Sequence, residues 1–360
     1  MRLDSLLDYF RGQAMTIPPM DGALRPNTAL DDSAAELLEA AAPDNLAAVG
    51  EHILYSTGGD LLRLPAYGEA APMTVARFDA PVSALACSSD GAIAIGLGDG
   101  RIVIKNGPFD GRTLGPADFE GFACPTALAF GGANTLWVCQ GSSAQRPSDW
   151  VVDLMGKSAS GSVWRVDLAS GRRDRLAGDL AFPYGVLPDA PGGGIVVAES
   201  WRHRLVRIGA EGGAIEPVLT MLPGYPARLA PGADGAAWLC LFAPRNRLIE
   251  FVLQEDAYRA DMMREVEREH WIAPALSSGA VFLEPLQCGG VKTMGIHKPW
   301  SPTRSYGLLV RLDRNLRPVA SFHSRANGRR HGITSVIERD RRVLVTSKGG
   351  DAILSLAVTP

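Results

Sequence analysis

The chain has 360 residues, 46% of them hydrophobic and 21% charged, with a formal net charge of −3. That balance gives no electrostatic footing for nucleic acid or an anionic membrane, and the longest apolar runs are of strand length, too short to span a bilayer. The content of Gly 40 and Pro 25 suits one large, turn-rich all-β domain better than two α/β domains.

Arg2–Gln13 carries Leu3, Leu6, Leu7 and Phe10 on one face, which predicts a short amphipathic helix. Asp4, Asp8 and Arg11 inside that pattern argue against a signal peptide. Cys87, Cys124, Cys139, Cys240 and Cys288 are odd in number and lack metal spacing, so they read as reduced thiols in a cytoplasmic protein. Thr16–Asn27, rich in proline, reads as an extended arm, and the first division of the chain is therefore a helix and arm over 1–33.

From residue 34 to 360 the pattern is of short alternating strands. Ala34–Ala42 has a helical composition but stands where an outer strand should be. The end of the chain, Asp351–Val358, is one strand short, so the two termini are expected to close one sheet together and remove an open edge. Between them one phrase recurs: a small-to-apolar strand, a Gly/Asp turn and a second apolar strand. It begins at Pro43, Pro81, Pro125, Pro183 and Pro226, with a sixth copy lacking proline at Arg330-His331-Gly332-Ile333. Once two long insertions are set aside, the spacing matches the roughly 40–50 residues of a propeller blade. The predicted fold is an all-β, six-bladed propeller.

Both insertions fall in turns between second and third strands, Gln140–Ser160 in the third blade and 243–304 in the fifth. The fifth-blade insertion includes Arg247–Leu253 and a predicted helix over Glu255–His270, with Tyr258, Met262, Met263 and Val266 on its apolar side. A loop of this length in a compact domain reads as a helical lid, or as a rim helix held for stability. The innermost strands begin at one face, the mouth. The alignment puts Asp44, Val82, Thr126, Tyr184, Ala227 and His331 there, with Asn45, Ser83, Ala127, Gly185, Arg228 and Gly332 beside them. The turns add Ser56, Asp99, Gln140, Glu199, Phe242 and Lys348.

Several phrases carry a family likeness: LAFPYGVLPD followed by GGGIVVAESWRHRLVRI, Leu222-Pro223-Gly224-Tyr225-Pro226, Arg304-Ser305-Tyr306-Gly307 and His331-Gly332-Ile333-Thr334-Ser335-Val336. Over roughly 40–358 the sequence resembles the strictosidine synthase-like family, of the six-bladed superfamily shared with gluconolactonases and paraoxonases. The resemblance implies a ligand site at the mouth, and either metal-assisted lactone or ester hydrolysis or a metal-free condensation. Metal-dependent members hold a calcium-like ion with Glu, Asn and Asp side chains. Of that set only Asp44 and Asn45 remain here; Thr126, Tyr184 and Arg228 replace the others, and Arg228 would place a permanent cation beside the ion. No cofactor is therefore expected, with a divalent cation on Asp44 and Asn45 as the exception to test. The condensing enzymes' base, a Glu in the sixth inner strand, is missing from Gly332–Val336.

The residues left suggest Asp44 and His331 as an acid–base pair. Tyr184 and Arg228 would bind a carboxylate or an oxyanion. Asn45, Thr126, Glu199, Trp150 and Phe242 would complete the substrate-binding set. A structural reading stands beside each: Asp44 capping a turn, His331 bonding a carbonyl, Arg228 pairing with Glu199. The expected function is a soluble small-molecule enzyme, hydrolase-like, acting on a lactone or ester. A non-catalytic binding propeller and a condensing lyase with a different base are the alternatives. The expected partner is a small-molecule substrate, and the sequence leaves the oligomeric state open.

Overall fold

The computed structural model describes residues 17–65, 71–119, 124–132, 134–189, 193–278 and 304–357, with the backbone of a hairpin at Gln287–Thr293 and Ile296–Trp300. The helix expected over Arg2–Gln13 lies outside these residues. Six four-stranded antiparallel sheets form the blades of a six-bladed β-propeller. Their first strands are Asp44–Val49, Val82–Cys87, Pro125–Phe130, Pro183–Asp189, Gly224–Pro231 and Ile333–Arg339. Each of these packs against the first strand of the next blade, and the sixth returns to the first, which closes the ring.

The apolar alternation of each copy explains the core. Among the described residues it divides into six clusters, one between each pair of neighbouring blades. Ala47, Leu54 and Leu61 of the first blade meet Ile93 and Ile95 of the second. Leu46 and Tyr55 meet Leu344 and Ile353 across the closure. Burial is thus between sheets rather than within one layer, so no blade would be stable alone.

Ala35–Glu39 forms the outer strand of the sixth blade, antiparallel to Ala352–Ala357. Pairing across the closure overrides the helical propensity of Ala34–Ala42, because the neighbouring edge strand supplies hydrogen bonds that an isolated short helix lacks. The arm before it is tied to the fifth blade: Asn27 donates to Ser321 O and accepts from His323 N, and Leu30 on a one-turn helix α1 (Ala29–Asp32) is fully buried.

The insertions fold as helices beside the ring. The third-blade insertion contains α2 (Trp150–Met155) and the fifth contains α3 (Arg247–Gln254) and α4 (Asp256–Glu265). Asn246 caps α3 by accepting from Leu248 N. The predicted helix thus ends earlier than His270, and Met262 is buried and Met263 half-buried while Tyr258 and Val266 are exposed.

One irregularity recurs in all six blades. Pairing of the first and second strands slips at the mouth end, between Asp44 and Ala47, Val82 and Ala84, Pro125 and Ala127, Pro183 and Gly185, Pro226 and Leu229, and Ile333 and Ser335. A residue dropped from the ladder is re-aimed. Asn45, Ser83, Thr126, Tyr184, Arg228 and Thr334 are among the residues so released, with Leu46 beside Asn45 in the first blade and Ala227 beside Arg228 in the fifth.

Candidate functional site

Those bulges build the site. Asn45 Nδ2 donates to Val82 O at 3.1 Å and to Ser56 Oγ at 2.8 Å. Thr126 Oγ1 donates to Pro183 O at 2.5 Å. Arg228 reaches furthest: its Nη1 donates to Asp44 Oδ1 at 2.7 Å and to Thr334 O at 3.3 Å, and its Nη2 donates to Ser83 O at 2.6 Å. The guanidinium also lies 4.9 Å from the centre of the Tyr184 ring. One fifth-blade side chain therefore contacts the first, second, fourth and sixth blades.

Asp44 is the anion at the centre of this arrangement. Besides Arg228, Oδ1 accepts from Thr334 Oγ1 at 2.9 Å and Asn45 N at 2.9 Å, while Oδ2 accepts from Lys348 Nζ at 2.9 Å. Burial opposes its charge, but Arg228 and Lys348 outweigh burial and lower its pKa to about 2. The same carboxylate pushes the Lys348 ammonium up despite burial, so both groups stay charged at neutral pH.

Above this floor opens a cavity of about 490 Å³. Phe182, Tyr184, Trp201, Phe242 and Trp150 form one wall. Trp150 meets Phe242 edge to face with centroids 5.3 Å apart, and Phe182 stacks on Trp201 at 4.5 Å. Behind them the buried carboxylate of Asp153 accepts the Trp201 indole N–H at 2.7 Å. The opposite wall includes Ser83, Asp79 and Asp99, with both aspartates bound by Arg101. Leu276, which follows the helices of the fifth-blade insertion, covers the side next to Lys348. No residue of α3 or α4 lines the cavity. The cover contributed by that insertion is therefore an extended segment, and the helices pack beside it.

Of the residues singled out in the sequence, Asp44, Thr126, Tyr184, Trp150 and Phe242 line the cavity. Arg228 and Asn45 lie around the central channel. Two placements differ. Asp44 and His331 do not pair: His331 Nε2 donates to Arg325 O at 2.8 Å, and Nδ1 accepts from Ser305 Oγ at 2.7 Å. Burial holds its pKa below the ordinary value. The sixth copy lacks the proline that marks the others, and its released residue is Thr334, three positions later. Glu199 also turns away, fully buried and bound to Ala181 N, Arg202 and Arg204 rather than to Arg228. Lys348, Trp201 and Phe182 were not among the predicted site residues. Lys348 was placed at a mouth turn, and Phe182 adjoins Tyr184, but nothing local marked Trp201.

The donor set does not fit a calcium-like ion. Such an ion takes about six to eight oxygen ligands. Among the described residues Asp44 is the single carboxylate on the floor, and both its oxygens already bind cations. Asn45 Oδ1 and Ser83 Oγ are buried without a hydrogen-bond partner, which adds two neutral oxygens, and the Arg228 guanidinium stands between the two blades that carry them. Among the described residues, the group of metal-type side chains that converges is Glu267, Glu269 and His270, exposed on the insertion and outside the cavity lining.

No protein-family model and no curated protein matches the sequence. Solved structures do match. A gluconolactonase from Xanthomonas campestris superposes with a TM-score of 0.57 at 12% identity, covering 92% of each chain. A candidate gluconolactonase gives 0.56 at 12% identity over 91% of this chain and 94% of its own. A catalytically inactive virginiamycin B lyase from Staphylococcus aureus, solved with quinupristin, gives 0.50 at 12% identity over 88% and 80%.

This likeness is one of fold.

At such identity neither chemistry nor ligand carries over with it. No helix among the described residues is long and apolar enough to cross a membrane.

Proposed function

We propose that this propeller receives a small organic molecule at its mouth and acts as a hydrolase-like enzyme on a lactone or ester carbonyl, without a divalent cation. The observation that carries this reading is Lys348 Nζ, fixed 2.9 Å from Asp44 at the floor of the aromatic-lined cavity. A fixed cation in a partly dry site stabilises an oxyanion far better than one in water. Lys348 is there an electrostatic donor, not a base, since Asp44 holds its proton. Arg228 and Thr334 keep Asp44 in place. Gluconolactonases among the structures of the same fold are consistent with this class of reaction.

The test is turnover of a panel of lactones and aryl esters, with and without chelator, by the wild type and Lys348→Met. The expected result is chelator-resistant hydrolysis, with kcat/KM reduced about 10²-fold or more in the variant, the cost of losing one oxyanion donor. Activity that needs added calcium, or that survives Lys348→Met, overturns the reading.

A second reading, binding without turnover, is favoured by one observation. Asp44 is held well below the usual carboxylate range and both ring nitrogens of His331 are engaged, so neither supplies a free base. The resemblance to strictosidine synthase-like enzymes offers a condensing activity as a third. Its support is weakest, because the nearest carboxylate in the sixth inner strand, Glu338, accepts from Trp238 Nε1 instead.

A further inference from the structure

We propose that the ligand of the mouth cavity is a planar aromatic monocarboxylate, with the ring on the wall of Trp150, Trp201 and Phe242 and the carboxylate on Lys348. This rests on the mouth being the small-molecule site, and it is independent of whether turnover follows.

Charge decides the polar end. Asp44 contributes one negative charge against two cations, Arg228 and Lys348, so the floor carries one unspent positive charge. The Arg228 side chain is 10% exposed, does not line the cavity, and directs Nη1 and Nη2 at Asp44 and two carbonyls. Lys348 is 31% exposed, lines the cavity, and directs one of its three N–H donors at Asp44. A ligand oxyanion completing that ammonium gains charge-assisted hydrogen bonds at a site already paid for in desolvation. The rest of the lining is balanced, with Asp79 and Asp99 against Arg101 and Arg146, so the one positive charge of the floor sets the ligand at one negative charge.

Ring shape decides the other end. The wall rings are locked by one another and by Asp153, so they present fixed faces and edges. Fixed aromatic surfaces favour offset or edge-to-face contact with a flat ring over a puckered aliphatic one. A cavity of about 490 Å³ falls in the range that encloses a bicyclic ligand.

The experiment is titration of the intact protein with 2-naphthoate, 2-naphthamide and decahydro-2-naphthoate, read by calorimetry and by quenching of tryptophan fluorescence. The wild type is expected to bind 2-naphthoate at least about tenfold more tightly than the amide, as one charge-assisted hydrogen bond implies, and at least about threefold more tightly than the decahydro acid, as one aromatic contact implies. Lys348→Met should erase the preference over the amide while keeping amide binding. Trp150→Leu, at a half-buried position, should erase the preference over the decahydro acid and keep the carboxylate preference. Equal binding of acid and amide by the wild type overturns the inference and leaves a small-molecule mouth site intact. Binding of none of the three, with no lactone or ester turned over, overturns both.

Discussion

Arg228 Nη1 donates to Asp44 Oδ1 across 2.7 Å, joining the fifth blade to the first through the centre of the ring. Both residues are buried; Asp44 without Arg228 still has Lys348, whereas removal of Asp44 strands both cations. Asp44→Leu is therefore expected to lose about 3–5 kcal/mol of unfolding free energy. Asp44→Leu combined with Arg228→Met and Lys348→Met should recover part of that loss, since no charge then remains stranded. Urea unfolding of the two variants against wild type measures the difference. A single variant within 1 kcal/mol of wild type, on the order of a surface pair, would show that the contact is not a structural tie.

Asp44 and His203 are among the groups that set the acid limb of stability. The Asp44 carboxyl lies at about 2 in the folded protein against an ordinary value of 3.8. A depressed folded pKa means that its contribution, about 2 kcal/mol, is present above the ordinary value and disappears as pH falls toward 2. His203 acts over a higher window. Burial, then the nearby Arg245, lowers its pKa from 6.5 to about 3, while Nδ1 hydrogen-bonds Gly224 O at 3.2 Å. Glu250 does not offset this, because its carboxylate is committed to Arg245 at 2.9 Å and stands 3.6 Å from Nε2. The unfolded chain binds a proton at this histidine first, so stability should decline as pH falls from about 6.5 toward 3. His203→Gln should flatten that decline, and Asp44→Asn should flatten the part below pH 4. Denaturant midpoints across pH 2–8 check both.

The segment bearing Leu276 rests on a glycine. A Cβ added at Gly349 would meet Leu276 O at 1.7 Å and its carbonyl carbon at 2.4 Å, both backbone atoms that cannot turn aside. Gly349→Ala should therefore lift Leu276 from the cavity and leave the blades in place. Stopped-flow measurement of 2-naphthoate dissociation should show release at least several-fold faster than wild type. An unchanged rate with an unchanged melting temperature would mean that this segment does not cover the ligand.

His331 supports the sixth blade rather than the cavity. His331→Ala removes the hydrogen bonds to Ser305 and to Arg325 O, and should cost about 1–3 kcal/mol. Affinity for 2-naphthoate should stay within about twofold, because the side chain does not line the cavity. Retained stability together with lost affinity would return the residue to the site.

Much of the fold was legible because burial between blades imposes the same requirement on every copy. Each needs two apolar strands with alternating faces and a tight turn, and Pro125, Pro183 and Pro226 mark where three of the inner strands enter. The sixth copy shows the limit. Without a proline, Arg330 and His331 took the place that belongs to Ile333 and Thr334, and a shift of three positions moved the wrong side chain to the mouth.

The sequence by itself determined the six blades, their closure through both termini and the face where the insertions gather, because strand period and repeat spacing are local properties. Only tertiary structure decided the site. Residues 44, 228 and 348 are remote along the chain, and their union depends on a bulge in each inner strand that aims one side chain inward. Which partner Asp44 would take was a contest among Arg228, Lys348 and His331. It was settled by geometry and desolvation in the closed ring, neither of which exists until the ring has formed.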